Sequence, residues 1–469
     1  MTRTLRLERI DAHRHQLTAT ASCAGYRFTT SWWYGDVDLD VLRDGLGNED
    51  FQRLAFHIAL FEVNKIASLR PEVLDLGPYA RFHTARLEAL WREVFLRVWA
   101  QWRYRHDLPD YAGPSFASAP RPERAPLTRP RGLGEVPCLA FCGGGKDSLV
   151  VMRLLEHAGL AHGALGYAHS SYGRAAPQHA LIDGLLDVGP ARRRHRLSIY
   201  DDFSDAPLLA LAPELGVHEL LAAETPASLF AALPLVLAHG YRDMVLGHEH
   251  SANVGNLRWA LTGEDVNHQW GKSLEAETLL DAYLREVLLP DARWYSLLQP
   301  AHDVLIFQLL AADDGGLERT HSCNVEKPWC ERCAKCAYVW LGYQAHLDPA
   351  KVEPLFRTHL FDTPALQLPF RQMLGLEAHT PFECIGQIDE VRLAFELCYQ
   401  RGLRGAAMEV YEAEVRPLDV APILDRTLRV YGESFRAPAD VAAPVLARMQ
   451  HVAGRARGEL RARLDGRAD

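Results

Sequence analysis

The sequence predicts an α/β protein: a parallel sheet with helices on both faces, carrying a four-cysteine metal knot, flanked by mostly helical N-terminal and C-terminal regions. Three observations predict it. From about residue 135, short apolar runs alternate with helical stretches. A glycine turn, "CGGGKDS" at 142–148, joins the first apolar run to the first helical stretch. Four cysteines crowd into "CNVEKPWCERCAKC" at 323–336.

Residues 1–112 are rich in Trp and Tyr and read as an α+β domain. "FQRLAFHIALFEVNKIASL" looks helical, and "RLEALWREVFLRVWAQWRYRH" repeats apolar residues every three or four positions, as an amphipathic helix does. Residues 113–134 hold prolines at 114, 120, 122, 126 and 130 and read as a linker or an extended surface arm. Residues 135–350 carry the alternation: "PCLAF", "GALGYAHS", "HRLSIYD" and "DMVLGHE" as strands, "SLVVMRLLEHAGL", "PQHALIDGLLD" and "ETPASLFAALPLVLAHG" as helices. Residues 351–469 read as mostly helical, and their end, "ARMQHVAGRARGELRARLDGRAD", as a solvated Arg-rich helix or frayed tail.

Composition narrows the function classes. A chain of 469 residues holds two or three domains, and 48% hydrophobic with 24% charged residues is ordinary for a soluble globular protein. A net charge of −9 supplies no general basic field, which argues against a nucleic-acid partner. The opening "MTRTLRLERIDAHRHQ" is too charged for a secretory leader. The longest uncharged run, 225–241, is broken by Pro234 and falls short of the ~20 residues of a membrane span. The expectation is a cytoplasmic protein with no membrane partner.

The glycine turn has the make-up of an anion cradle. Gly143, Gly144 and Gly145 let the backbone approach closely, the following helix offers unpaired N–H groups, and Ser148 adds a hydroxyl. Asp147 bears the same sign as a phosphate, so its presence points to a bridging magnesium ion. Lys146 either adds positive charge or is simply solvated. Strand ends in such sheets share one crevice, so His248 and Glu249 in "GHEHSAN" are candidates for nucleotide or metal contact; a polar loop that only caps a helix is the alternative. Asn267, His268 and Lys272 precede a helix opened by Ser273. Lys272 can neutralise a phosphate or carboxylate, or be solvated.

Cys323, Cys330, Cys333 and Cys336 are separated by six, two and two residues. Four thiolates at such spacing satisfy a tetrahedral zinc ion with no open position, hence a structural site; an iron–sulfur cluster also suits repeated CxxC. Cys384 lies outside this group and is a candidate acid or base. Cys142, on the strand before the turn, reads as buried and structural.

"GGGKDS" resembles the SGGxDS loop of the N-type ATP pyrophosphatases, whose fold is adenine nucleotide alpha-hydrolase-like, with Gly143 at the usual serine. Longer strings resemble one family among them, the ATP-dependent UDP-N-acetylmuramoyl-L-alanyl-L-glutamate epimerases: "GGGKDSLV", "VNHQWGKSLEAE" (266–277), "SCNVEKPWCERCAKCAYVWL" (322–341) and "PFECIGQIDE" (381–390), spread over about 250 residues. Residues 1–112 match only in helical pattern, and the resemblance makes them the substrate side.

The resemblance implies ATP and Mg2+ as cofactors beside the structural zinc, with Gly143, Gly144, Gly145 and Ser148 on pyrophosphate and Asp147 on magnesium. It implies a small-molecule or peptide substrate with a free C-terminal carboxylate. That carboxylate is adenylated, the Cα centre inverted and the acyl-adenylate hydrolysed to AMP and pyrophosphate. The acid/base candidates are Lys272, His268 and Cys384. Two alternatives share the motifs: an epimerase of a peptide natural product, and an amide-forming enzyme like the 7-cyano-7-deazaguanine synthases. A tRNA-modifying enzyme is disfavoured by the acidic balance.

Overall fold

A computed structural model describes residues 3–211 and 224–465. The chain opens with three antiparallel strands, β1 (Thr4–His13), β2 (Gln16–Cys23) and β3 (Tyr26–Tyr34). Their alternate residues are buried, as in Gln16–Cys23, where Leu17, Ala19, Ala21 and Cys23 point inward. This ribbon lacks the long apolar runs that mark the later strands. Helix α1 (Asn48–Glu62) runs on as a 3-10 segment to Leu69. After β4 (Val73–Asp75) comes α2 (Ala85–Val98), capped by the Thr84 hydroxyl; it breaks at Trp99 before a short helix, Ala100–Arg105, so the single helix read from the sequence is two.

Residues 113–134 are a strap laid along the body. They contain β5 (Ser115–Phe116), Leu127 is buried and its N–H donates to Leu288 O at 2.8 Å, and Arg53 Nη1 donates to Ala125 O at 2.8 Å.

The alternating region follows: β6 (Cys138–Cys142), α3 (Lys146–His157), β7 (His162–His169), α4 (Ala175–Leu186), β8 (Arg193–Asp201), α5 (Glu224–His239) and β9 (Asp243–Leu246). A small hairpin, β10 (Leu257–Arg258) with β11 (Asp265–Val266), precedes α6 (Leu274–Tyr283) and β12 (Arg293–Ser296). All but the small hairpin join one ten-stranded sheet in the order β12-β9-β6-β7-β8-β3-β2-β1-β4-β5. Its first five strands are parallel; β8 then pairs antiparallel with β3, in register from Thr30↔Asp201 to Tyr34↔Leu197. The N-terminal ribbon thus extends the same sheet. Just beyond this seam, Asp36 Oδ2 lies 2.7 Å from His195 Nδ1 and 3.2 Å from His239 Nε2.

The two-residue period of the parallel strands divides the core. Leu139, Leu165, Met244 and Trp294 face one side and pack with α1, α5 and α6. Cys138, Ala140, Ala164, Val245 and Tyr295 face the other and pack with α3, α7 (Asp303–Ala312), α8 (Ala334–His346) and α9 (Ile388–Gln400). Apolar burial on both faces is what allows near-continuous apolar strands. The Arg-rich end forms α10 (Ala439–Leu464), and it is more than a solvated helix. Val441, Val445, Met449, Val452, Ala456 and Leu460 make a buried stripe at three- and four-residue spacing, with the arginines outside it. Among the described residues no helix is long and apolar enough to cross a membrane.

β6 is the strand at which the order reverses, with β7 on one side and β9 on the other. The carboxyl ends of β6 and β9 therefore border the crevice where such sheets receive ligands.

Candidate active site

A cavity of about 790 Å³ opens at that crevice. Its wall includes Gly143, Gly145, Asp147 and Ser148 after β6, His248 after β9, and His268, Lys272 and Cys384 from two later segments. With Lys65 also in the wall, residues separated by up to 319 positions in the sequence share one space. Gly144, Lys146 and Glu249 are not part of the wall.

The glycine turn is held from behind. Gly144 has φ +88°, and a Cβ there would lie 2.0 Å from His321 Cε1. The His321 N–H donates to Gly144 O at 2.9 Å. A Cβ on Gly145, the N-cap of α3, would meet Ser322 Oγ at 2.8 Å. Gly143 faces open space, so the serine of the related pattern would fit there. Ser148 Oγ accepts from Gly143 N–H at 3.2 Å. Cys142 is buried, and burial pushes its thiol up to about 11.

Lys146 is neither solvated nor turned to the cavity. Its ammonium is buried and donates to Asp147 Oδ1 and Asp303 Oδ1, each at 2.5 Å; Tyr338 OH donates to the other Asp303 oxygen at 2.9 Å. Lys146 therefore anchors the start of α3 and orients Asp147.

Burial works against the charge of Lys272, but Cys384, Glu249 and Asp147 outweigh it and keep the ammonium protonated well above the usual lysine range. Lys272 Nζ lies 3.7 Å from Glu249 Oε1, and Lys272 shares the cavity wall with Cys384. Burial raises Glu249 despite the opposing pull of Lys272, and Asp303 and Asp147 add to the rise. Glu249 Oε2 is buried with no hydrogen-bond partner among the described residues. A divalent cation beside Asp147 would suit this crowd of carboxylates. His248 is pushed down to about 3 by burial and by Lys272. His268 falls to about 4, chiefly by burial; its Nδ1 sits 2.5 Å from Gln101 Oε1. Both histidines are neutral near pH 7. Asn267 lies behind the wall and donates to Ala252 O at 2.8 Å, and Ser273 caps α6 as its position implied.

Several wall residues were not singled out from the sequence: Lys65, Tyr172, His321, Lys327 and Lys335. His321, Lys327 and Lys335 lie in or beside the cysteine-rich string, a signal that could have found them. Lys65 comes from the segment after α1 and is fixed by Glu62 at 2.7 Å and Asp201 at 2.9 Å; no local pattern marks it.

The four Sγ atoms of Cys323, Cys330, Cys333 and Cys336 lie within 4.8 Å of one another, with Cys323–Cys333 and Cys330–Cys336 both at 3.8 Å. Thiolates about 2.3 Å from one tetrahedral ion stand about 3.8 Å apart. Backbone N–H groups of Val325 and Glu326 donate to Cys323 Sγ at 3.3 Å, which stabilises a metal-binding thiolate and fixes its direction. The donor set fits a single tetrahedral ion.

Comparison with known proteins points to one family. Residues 227–297 match the family model "MurL N-terminal domain" and residues 319–417 match "MurL C-terminal domain". The glycine turn lies outside both segments. A UDP-N-acetyl-alpha-D-muramoyl-L-alanyl-L-glutamate epimerase of Salinispora tropica is 30% identical over 330 residues, covering 68% of this chain and 67% of the relative. Enzymes of the same name from Micromonospora sp. and Xanthomonas oryzae pv. oryzae are 28% and 29% identical, over 66% and 68% of this chain and 67% and 68% of their own. No solved structure matches.

Proposed function

The chain belongs to the UDP-N-acetyl-alpha-D-muramoyl-L-alanyl-L-glutamate epimerase family, and from that membership we propose that it inverts the Cα centre of the C-terminal residue of a UDP-N-acetylmuramoyl dipeptide, at the expense of ATP. The observation that carries the reading is the convergence of the glycine turn, Lys272 and Cys384 on one cavity.

The chemistry explains why a phosphate cradle and a thiol belong together. Taking the Cα proton beside a free carboxylate would build a carbanion next to an existing negative charge. Adenylation removes that charge and lets the carbonyl accept electron density. In this reading the turn amides and Ser148 hold the departing pyrophosphate. Asp147 and Glu249 would hold magnesium, which when bound offsets phosphate charge. Lys272 neutralises charge near the reacting carboxylate. Cys384 takes the Cα proton, with the Lys272 ammonium placed to pair with the sulfur that must be deprotonated to do so. His268, neutral and fixed by Gln101, orients substrate or acts on the opposite face. Cys323, Cys330, Cys333 and Cys336 would hold a structural zinc ion, which when bound would stiffen the loop that backs the glycine turn.

The test is an incubation in heavy water with ATP, magnesium and UDP-N-acetylmuramoyl-L-Ala-L-Glu. Deuterium should enter the terminal Cα while AMP and pyrophosphate appear without added ammonia. ADP formation with no deuterium uptake would overturn the reading. Plain peptides in the same assay reveal whether the nucleotide sugar is required.

A further inference from the structure

We infer that Lys327 and Lys335 form a subsite for the side-chain carboxylate of the substrate's terminal residue, and so select peptides that end in an acidic residue. The inference rests on the epimerase reading above.

The cysteine-rich loop returns along the cavity: Asn324 and Lys327 within it, and Lys335 in the first turn of α8, all stand in the wall. Other lysines at the site have carboxylate partners. Lys65 has Glu62 and Asp201, Lys146 has Asp147 and Asp303, and Lys272 has Glu249. Among the described residues, Lys327 and Lys335 form no ion pair. Lys335, 8% exposed, donates to the backbone carbonyl of Cys384. Lys327 Nζ lies 5.7 Å from the centre of the Tyr172 ring. The three acidic side chains in the same wall have other hydrogen-bond partners: Asp147 accepts from Lys146 Nζ at 2.5 Å, Glu224 from Tyr172 OH at 2.5 Å, and Glu383 from Asn324 Nδ2 at 3.2 Å. Negative charge near Lys327 comes from the cysteine cluster and Glu224, but neither lysine has a direct ion-pair partner among the described residues, and an arriving carboxylate would supply one.

Position identifies the anion. The turn amides and the start of α3 already provide the donors a phosphate needs. Lys335 is bonded to Cys384, the residue read as acting at Cα. A glutamyl side chain puts its carboxylate carbon three bonds from Cα, on the stretch of wall that Lys335 and Lys327 line. The chemistry also calls for it. Adenylation masks the α-carboxylate, so the side-chain carboxylate is the negative charge that remains beside the developing carbanion. Two lysines there offset it.

The experiment is calorimetric binding to the full chain of UDP-N-acetylmuramoyl-L-Ala-L-Glu and of its L-Gln counterpart, which has the same shape without the charge. A non-hydrolysable ATP analogue is titrated separately. The native protein should bind the glutamate peptide about tenfold to a hundredfold more tightly. K327Q should erase most of that preference by weakening the glutamate peptide alone, and K327R should keep it. The inference is overturned if the native protein binds both peptides alike. It is equally overturned if K327Q weakens both peptides equally, or if the weakening falls on the ATP analogue, which would assign the lysine to phosphate. Absence of ATP-dependent deuterium uptake would sink the epimerase reading but leave the binding preference measurable, so the two failures are distinguishable.

Discussion

Gly144→Ala probes the turn most directly. Two penalties add. The residue sits at φ +88°, where a side chain costs about 1–2 kcal/mol. The new Cβ would lie 2.0 Å from His321 Cε1, and that ring is buried (1% exposed) on a backbone tied to Gly144 by a 2.9 Å hydrogen bond. Either the imidazole, which borders the cavity, or the turn must move, and overpacking of this kind costs about 1–3 kcal/mol. The sum is a loss of about 2–5 kcal/mol. Gly143→Ala is the control: its φ is not in the left-handed range and nothing lies within 4 Å of its added Cβ, so its effect should stay within about 0.5 kcal/mol. Denaturant titration of the two variants beside the parent measures the difference. Adding ATP should raise the midpoint of Gly143→Ala and fail to raise that of Gly144→Ala, whose amides are displaced. Equal stability of the two variants would refute the argument that His321 holds the turn.

Other perturbations have equally definite outcomes. Cys384→Ser should cut deuterium uptake at Cα by about a hundredfold or more while pyrophosphate release continues, because only proton transfer is lost; unchanged uptake would remove Cys384 from the chemistry. Glu277 is 1% exposed, and burial pushes its carboxyl up to about 8 although the Ser296 N–H donates to it at 3.0 Å. Folding keeps this proton where the unfolded chain has released it, so stability falls as pH rises from about 4.5 to 8 and the loss is complete above that. Glu277→Gln should therefore raise the midpoint of thermal unfolding at pH 9, by an amount that shrinks toward pH 5; the ceiling is about 5 kcal/mol. Cys330→Ser should release the bound metal, and elemental analysis should find one zinc per parent chain and little in the variant; iron in the parent would reassign the knot.

The parallel half of the fold was legible because its strands are buried on both faces and so appear as apolar runs between helices. The antiparallel ribbon at residues 4–34 was not. Its alternation of Leu, Thr and Arg is weak, and it lies between no recognisable helices. In the site, glycines and cysteines announced themselves because their chemistry depends on local spacing. Lys65 and Tyr172 did not, since each acquires its role only when distant segments meet. Lys146 was legible as a charge but not as a buried one; its partner Asp303 lies 157 positions away. His268 and Cys384 were within reach of sequence reasoning because their strings are distinctive, whereas their separation from the glycine turn hid that all three share a wall.

The seam between β3 and β8 bears on how this protein can be divided. The ribbon supplies the hydrogen-bonding partner of a strand whose Leu197 and Ile199 are fully buried. A version trimmed to begin near residue 135 would keep the glycine turn and the cysteines but turn β8 into a bare edge with apolar flanks, a template for association with other copies. It would also lose Lys65 from the cavity. A version that keeps this edge covered therefore includes the N-terminal ribbon, and an engineer grafting a new module should leave the proline-rich strap uncut.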